Sequence, residues 1–210
     1  PKGFTVNIDK SSQFLSAILI AAGTFGKKTE INVVGSHGLS YVDLTVSMMK
    51  SFGVAVQKDN SEGQIKYLFS GNDSYKALEY KIDMSAAAYF YALAGALGAK
   101  VTVNGVTSSM LQGDVEFLNL LSHMGCGVIE NNDGGITVIG SESGELKGGF
   151  TVDMSAFSDQ ALTLAAIAPF ADSPITITGI GHIRFQECDR IKAISENLTA
   201  LGIKVDEKPD

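Results

Sequence analysis

The sequence predicts an α/β fold made of repeated β-α-β-α-β-β units, with buried helices and outer sheets, on the strength of three observations. A short aspartate-centred segment occurs three times, as Ile8-Asp9-Lys10-Ser11-Ser12, Ile82-Asp83-Met84-Ser85-Ala86 and Val152-Asp153-Met154-Ser155-Ala156. Each copy precedes a small-apolar run and then a β-branched run ending in glycine, from Ile31 to Gly35, Val101 to Gly105 and Ile175 to Gly179. The runs Phe14 to Ala22, Ala86 to Leu97 and Ala161 to Ala171 have almost no polar face, which predicts three helices buried all round. A period of about 70–75 residues is too long for a common short-repeat solenoid and suits a multi-element αβ unit.

Taken in order, Phe4 to Ile8 reads as a strand, and Ser11 or Ser12 as the N-cap of a helix running through Phe25. After each glycine-ended strand, an aspartate (Asp43, Asp114, Asp189) opens a second helical pattern, closing on Phe52-Gly53, Met124-Gly125 and Leu201-Gly202. In the third of these Ile191, Ile194, Leu198 and Leu201 recur at helical spacing with polar residues on the other faces, so that helix is expected to be half exposed. Val54 to Val56 with Ile65 to Phe69, and Gly127 to Ile129 with Ile136 to Ile139, read as strand pairs; Asn131 to Gly135 makes the second a hairpin. Turn-rich Gly71 to Ser74 and Ser141 to Gly144 mark unit boundaries. The chain enters a strand directly after Pro1 and stops at Pro209-Asp210 just past another strand-like run, so it is expected to be part of something longer.

A chain of 210 residues, 45% hydrophobic, can bury a sizeable core. Its 16 basic and 23 acidic residues give a net charge of -7, and without a basic stripe this argues against nucleic acid or an anionic membrane surface as partner. The longest apolar runs fall short of the roughly 18 residues of a membrane helix, and no signal peptide is visible. Cys126 and Cys188 lie in different units without Cys-x-x-Cys spacing, so a reduced, cytoplasmic setting is expected.

No phosphate-binding glycine loop, dinucleotide fingerprint or His/Cys metal spacing is present, so no metal or cofactor is expected. His37, His123 and His182 read as isolated surface or packing histidines, and Cys126 as a small buried residue between glycines. Polar chemistry gathers instead at helix starts: Ser11-Ser12-Gln13, Tyr41 with Asp43, Gln112-Gly113-Asp114, Ser158-Asp159, and Gln186 to Arg190. Capping of free N–H groups accounts for Asp43, Asp114 and Ser85. Asp159, opening an apolar helix, is either a buried cap or a catalytic group. Glu187 and Arg190 are spaced as an ordinary helical ion pair, yet Arg184, Gln186, Glu187, Asp189 and Arg190 crowd one loop-to-helix junction. Helix N-termini carry partial positive charge and unpaired donors, so several aimed at one cleft let an acidic protein hold a phosphorylated, carboxylated substrate. A carboxylate among those donors can move protons.

Ser11-Ser12-Gln13-Phe14-Leu15, Tyr41-Val42-Asp43 ahead of Met49-Lys50-Ser51-Phe52-Gly53, Gln112-Gly113-Asp114, Asp159-Gln160-Ala161 and Glu187-Cys188-Asp189-Arg190, in this order, closely resemble the 5-enolpyruvylshikimate-3-phosphate (EPSP) synthase family over essentially the whole chain. The resemblance implies two similar domains, each an inside-out α/β barrel of three β-α-β-α-β-β units, with the active site between them. Residues 1–81 would be the last unit of one domain and 82–210 two units of the other. The implied reaction transfers the enolpyruvyl group of phosphoenolpyruvate to the 5-hydroxyl of shikimate 3-phosphate and releases phosphate, in a cytoplasmic monomer without cofactor. Ser11, Ser12, Gln13 and Tyr41 would bind the phosphorylated shikimate, with Gln13 also near phosphoenolpyruvate. Asp159 would engage the attacking hydroxyl, Glu187 would serve the enolpyruvyl methylene, and Arg190 would hold the carboxylate or phosphate of phosphoenolpyruvate. His182 and Gln186 fall where the family also contacts shikimate 3-phosphate. Three positions depart from the family pattern: Gln186 replaces a usual lysine, Gly38 a common serine and His182 a frequent asparagine. The family's N-terminal Lys-Ser and C-terminal Asp-His-Arg motifs have no counterpart, so this stretch alone is expected to be inactive. The related UDP-N-acetylglucosamine enolpyruvyl transferase and a non-catalytic αβ-repeat binding module are the competing readings.

Overall fold

A computed structural model describes residues 3–61, 63–76, 83–141 and 143–210. The chain divides into two compact units, Pro1–Tyr80 and Lys81–Asp210. The expected boundary at 81/82, Ile82 of the repeated segment and Glu142 of the second boundary turn lie outside the described residues.

The first unit runs β1 (Phe4–Asn7), α1 (Gln13–Ala22), β2 (Thr29–Val34), α2 (Leu39–Ser51), β3 (Val56–Asp59) and β4 (Lys66–Phe69). Its sheet has the order β1-β2-β4-β3, with β1 and β2 parallel across α1 and the other pairs antiparallel. Alternation in β2 sends Ile31 and Val33 inward, where they meet Leu15 and Leu19 of α1, Val42 and Met49 of α2, and Tyr67 of β4. This is the expected β-α-β-α-β-β order in full. Ser16 Oγ lies 2.8 Å from Thr45 Oγ1, tying α1 to α2.

In the second unit come α3 (Met84–Leu97), β5 (Lys100–Asn104), α4 (Glu116–His123), β6 (Gly127–Glu130) and β7 (Gly135–Ile139). They are followed by β8 (Thr151–Asp153), α5 (Ala161–Ile167), β9 (Thr176–Thr178) and α6 (Arg190–Ala200). β5, β7 and β6 form one antiparallel sheet, and β8 pairs parallel with β9 across α5. A single core joins Tyr91 of α3, Phe117 and Leu121 of α4, Ile136 and Val138 of β7, and Leu164 of α5. On α6, Ile191, Ile194 and Leu198 are half-buried, while Leu201 just beyond it is exposed.

The glycine closing each repeated strand takes a left-handed backbone. Gly35, Gly105 and Gly179 adopt φ of 91°, 81° and 75°. At Gly35 a Cβ would come 2.3 Å from Asp9 Oδ1, and at Gly179 2.3 Å from Asp153 Oδ1. In the first and third copies the aspartate and the glycine are therefore one motif, in which the carboxylate sits where a side chain would be.

Six expectations are corrected. Two of the inner helices are not buried all round, since Phe14 and Ile20 of α1 and Tyr89, Phe90, Leu93 and Leu97 of α3 are exposed, whereas α5 exposes only Ala166. α1 stops at Ala22 rather than Phe25, and α5 at Ile167, where Ala168–Phe170 tightens to a 3-10 turn around Pro169. Asp43 lies inside α2, bonded to Lys58 at 2.7 Å, and Asp83 rather than Ser85 caps α3 by accepting from Ser85 N. After α6 residues 201–210 form no strand: Arg184 binds the Pro209 carbonyl and the Glu207 carboxylate, and Gly179 and Gly181 donate to Asp210.

Candidate active site

In the first unit the named residues collect where α1 and α2 begin. Ser11 Oγ accepts from Gln13 N at 3.3 Å, Ser12 is 7% exposed, and Gln13 is exposed. Gly38, just before α2, has φ of 64°, and a Cβ there would fall 2.6 Å from Ser12 Oγ and 3.8 Å from the Tyr41 ring. Glycine at 38 thus follows from a left-handed backbone and from the closeness of Ser12. Ser12 and Tyr41 are brought together around it, at helix N-termini whose partial charge favours anions.

The second unit gathers Asp159, His182, Gln186, Glu187 and Arg190. Asp159 lies in a 3-10 turn, Ser158–Gln160, that leads into α5; it is half exposed, so the reading of a buried cap is set aside. Arg190, the first residue of α6, donates to Glu187 Oε2 from Nε (3.1 Å) and Nη2 (2.6 Å), and to Asp159 Oδ1 from Nη1 at 3.3 Å. One guanidinium therefore stands between the two carboxylates that the sequence singled out. The Glu187 backbone N–H, and then Arg190, hold the Glu187 carboxyl below the usual carboxylate range. Asp189 caps α6 by accepting from Lys192 N at 3.0 Å, and Arg184 Nη1 lies 3.0 Å from both its oxygens. This fixes the junction carrying Glu187 and Arg190. His182, in a 3-10 turn Gly181–Phe185, has Nε2 2.9 Å from Ser158 Oγ. Gln186 is half-buried, and its Oε1 lacks a hydrogen-bond partner among the described residues.

Beneath Asp159 lies a polar cluster that the capping reading missed. Asp114 is 4% exposed, its Oδ2 accepts from Ser85 Oγ, and its Oδ1 has no partner among the described residues. Burial raises its carboxyl above the usual range against the Ser85 bond, and the negative charge of Asp159 raises it further. Gln160, fully buried, donates to the Ser85 carbonyl at 3.5 Å, and Gln112 receives Met84 N while donating to Asp83. The signal available in the sequence was Gln112-Gly113-Asp114 itself, whose polar residues reach back 29 positions to the start of α3.

Among the described residues no three His, Cys, Asp or Glu side chains converge to hold a metal ion, and no helix is long and apolar enough to cross a membrane.

A family model described as EPSP synthase (3-phosphoshikimate 1-carboxyvinyltransferase) matches residues 1–210. The chain is 44% identical over 206 residues to 3-phosphoshikimate 1-carboxyvinyltransferase 2 of Halalkalibacterium halodurans, covering 95% of this chain and 44% of that protein. It is 41% identical over 211 residues to the enzyme of that name from Trichormus variabilis, covering 99% of this chain and 48% of that protein. Among solved structures, EPSP synthase from Acinetobacter baumannii matches 100% of this chain and 47% of its own, with a TM-score of 0.70 and 24% identity. The enolpyruvyl transferase NikO from Streptomyces tendae matches 98% and 49%, with a TM-score of 0.60 and 15% identity. These two likenesses bear on the fold, which is that of the enolpyruvyl transferases. The chain spans about half the length of the curated relatives it matches.

Proposed function

The chain belongs to the EPSP synthase family, and from that premise we propose that the full-length protein transfers the enolpyruvyl group of phosphoenolpyruvate to the 5-hydroxyl of shikimate 3-phosphate. In this reading residues 1–81 are the last repeat of one domain and 82–210 two repeats of the other. Ser11, Ser12, Gln13, Tyr41, His182 and Gln186 face shikimate 3-phosphate, and Arg190 faces phosphoenolpyruvate. The observation that carries the proposal is Arg190 shared by Asp159 and Glu187, which puts two carboxylates and one cation within reach of a single reacting centre.

The chemistry follows from that triad. The 5-hydroxyl oxygen bonds to C2 of phosphoenolpyruvate, its proton passing to Asp159, while the C3 methylene takes a proton from Glu187 and becomes a methyl group. Glu187 then removes a proton from that methyl group, the C2–O bond to phosphate breaks, and the leaving phosphate takes the proton held by Asp159. Glu187 must be protonated for the first step, yet Arg190 favours its ionised form. An incoming phosphoenolpyruvate draws the guanidinium to its own carboxylate or phosphate, and Glu187, relieved of that pairing, becomes easier to protonate.

The test is phosphate release by the full-length protein given phosphoenolpyruvate and one of two acceptors. Release with shikimate 3-phosphate, and none with UDP-N-acetylglucosamine, is expected; release only with the nucleotide sugar, or with neither, would contradict the proposal. The 210-residue chain alone is expected to show no turnover, because the family's other cationic motifs are missing from it.

A further inference from the structure

We propose that Ser158 is a positioning residue that acts through His182, fixing the imidazole where the acceptor binds; the proposal rests on the reading above, in which His182 meets shikimate 3-phosphate. Ser158 is 1% exposed. A hydroxyl at that depth needs a protein partner, and Oγ finds one in His182 Nε2 at 2.9 Å. The bond spans 24 residues and joins the turn before α5 to the turn before α6.

The turn that carries Ser158 is anchored on three sides by three consecutive residues. Ser158 holds Gly181–Phe185 through His182, Asp159 holds the start of α6 through Arg190, and Gln160 holds the first turn of α3 through the Ser85 carbonyl. Phe157, 7% exposed, packs in the core just before them. A turn fixed in this way cannot slide along the chain, so the Ser158 hydroxyl is a stationary post. Whether it donates to Nε2 or accepts from Nε2–H, it holds the ring at a set distance from Asp159, the adjacent residue. Without it the imidazole loses one of the contacts that set its orientation, and the order lost must be restored on binding, which weakens acceptor binding rather than slowing the chemistry.

In the full-length protein, Ser158→Ala is expected to raise KM for shikimate 3-phosphate roughly fivefold, the worth of one net hydrogen bond, with kcat and the KM for phosphoenolpyruvate held. His182→Ala raises the same KM, and adding Ser158→Ala to it changes nothing further, because the two residues act as one. Additive effects, or a fall in kcat with KM unchanged, would overturn the proposal. Should Ser158→Ala fold poorly, the nearly isosteric Ser158→Cys is expected to give a smaller rise in the same KM. A readout independent of turnover is the nitrogen-15 spectrum of the unliganded protein, where Ser158→Ala must move the His182 ring resonances and leave those of His37 and His123 in place. Unmoved resonances in an active protein overturn the pairing. Moved resonances in a protein that releases no phosphate with shikimate 3-phosphate overturn the acceptor reading and leave the pairing standing.

Discussion

Arg190 grips Glu187 through a single carboxylate oxygen, with Nε at 3.1 Å and Nη2 at 2.6 Å, and keeps its third nitrogen for Asp159. The cation is the least exposed of the three side chains, at 23% against 72% for Glu187 and 47% for Asp159. It is therefore the most enclosed member of the triad, and both carboxylates reach it from more exposed positions.

Glu187→Gln removes the proposed proton carrier and keeps the shape. In the full-length protein it is expected to lower kcat by about 100-fold or more, with an unfolding midpoint close to that of the unaltered protein because the side chain is exposed. Asp159→Asn is expected to lower kcat in the same way. Steady-state phosphate release with denaturant unfolding checks both, and unchanged kcat in either variant would return that carboxylate to a structural role.

Arg190→Lys keeps the charge and loses the fork that reaches two carboxylates at once. Losing a charge-assisted hydrogen bond of about 1.5–3 kcal/mol is expected to raise KM for phosphoenolpyruvate about tenfold or more. Titration of phosphoenolpyruvate at saturating acceptor measures it, and an unchanged KM would place Arg190 outside the donor site.

Asp114 links pH to stability. Burial, offset by the Ser85 bond and reinforced by Asp159, raises its carboxyl above the usual range. The folded protein then binds this proton more tightly than the unfolded chain, whose aspartates titrate near about 3.9. Stability from the site is full below about 3.9 and is lost as pH rises through the folded-state value. Asp114→Asn, which accepts from Ser85 but cannot ionise, is expected to flatten that part of the profile in a pH series of urea unfolding. The same slope in both proteins would contradict a buried, proton-binding Asp114.

Gly38→Ser restores the residue common in the family at a site that the present backbone does not accommodate. With φ at 64° and a Cβ 2.6 Å from Ser12 Oγ, the change is expected to cost about 1–2 kcal/mol, in line with the penalty for a left-handed residue bearing a Cβ. Urea unfolding would show it, and equal or greater stability would mean that Ser12 gives way at no cost.

The repeat was legible because aspartate and glycine recur at matched places, but their partnership was not. Nothing in the order of residues says that Asp9 seats against Gly35 or Asp153 against Gly179. The capping of α6 by Asp189 was also legible, since aspartate precedes a clean amphipathic pattern. The same rule failed at Asp43 because α2 starts a turn earlier, at Leu39 after Gly38, where no side chain announces it. It failed at Asp114 because the carboxylate is spent on Ser85, a tertiary contact across 29 residues. The junction from Gln186 to Arg190 stood out by its density of polar groups, yet the reach of Arg190 across 31 residues to Asp159 depends on how α5 and α6 pack. Exposure of Tyr89, Phe90 and Leu93 ran against an apolar pattern that correctly predicts burial only where both flanks of a helix are covered.

The most direct test of the central claim is the mass of the product formed by the full-length protein from phosphoenolpyruvate and shikimate 3-phosphate in heavy water. If the methylene gains a proton and then loses one, the enolpyruvyl group of the product carries deuterium, and Glu187→Gln suppresses its formation. Product formed without deuterium would mean that no methyl intermediate arises, and would contradict the account.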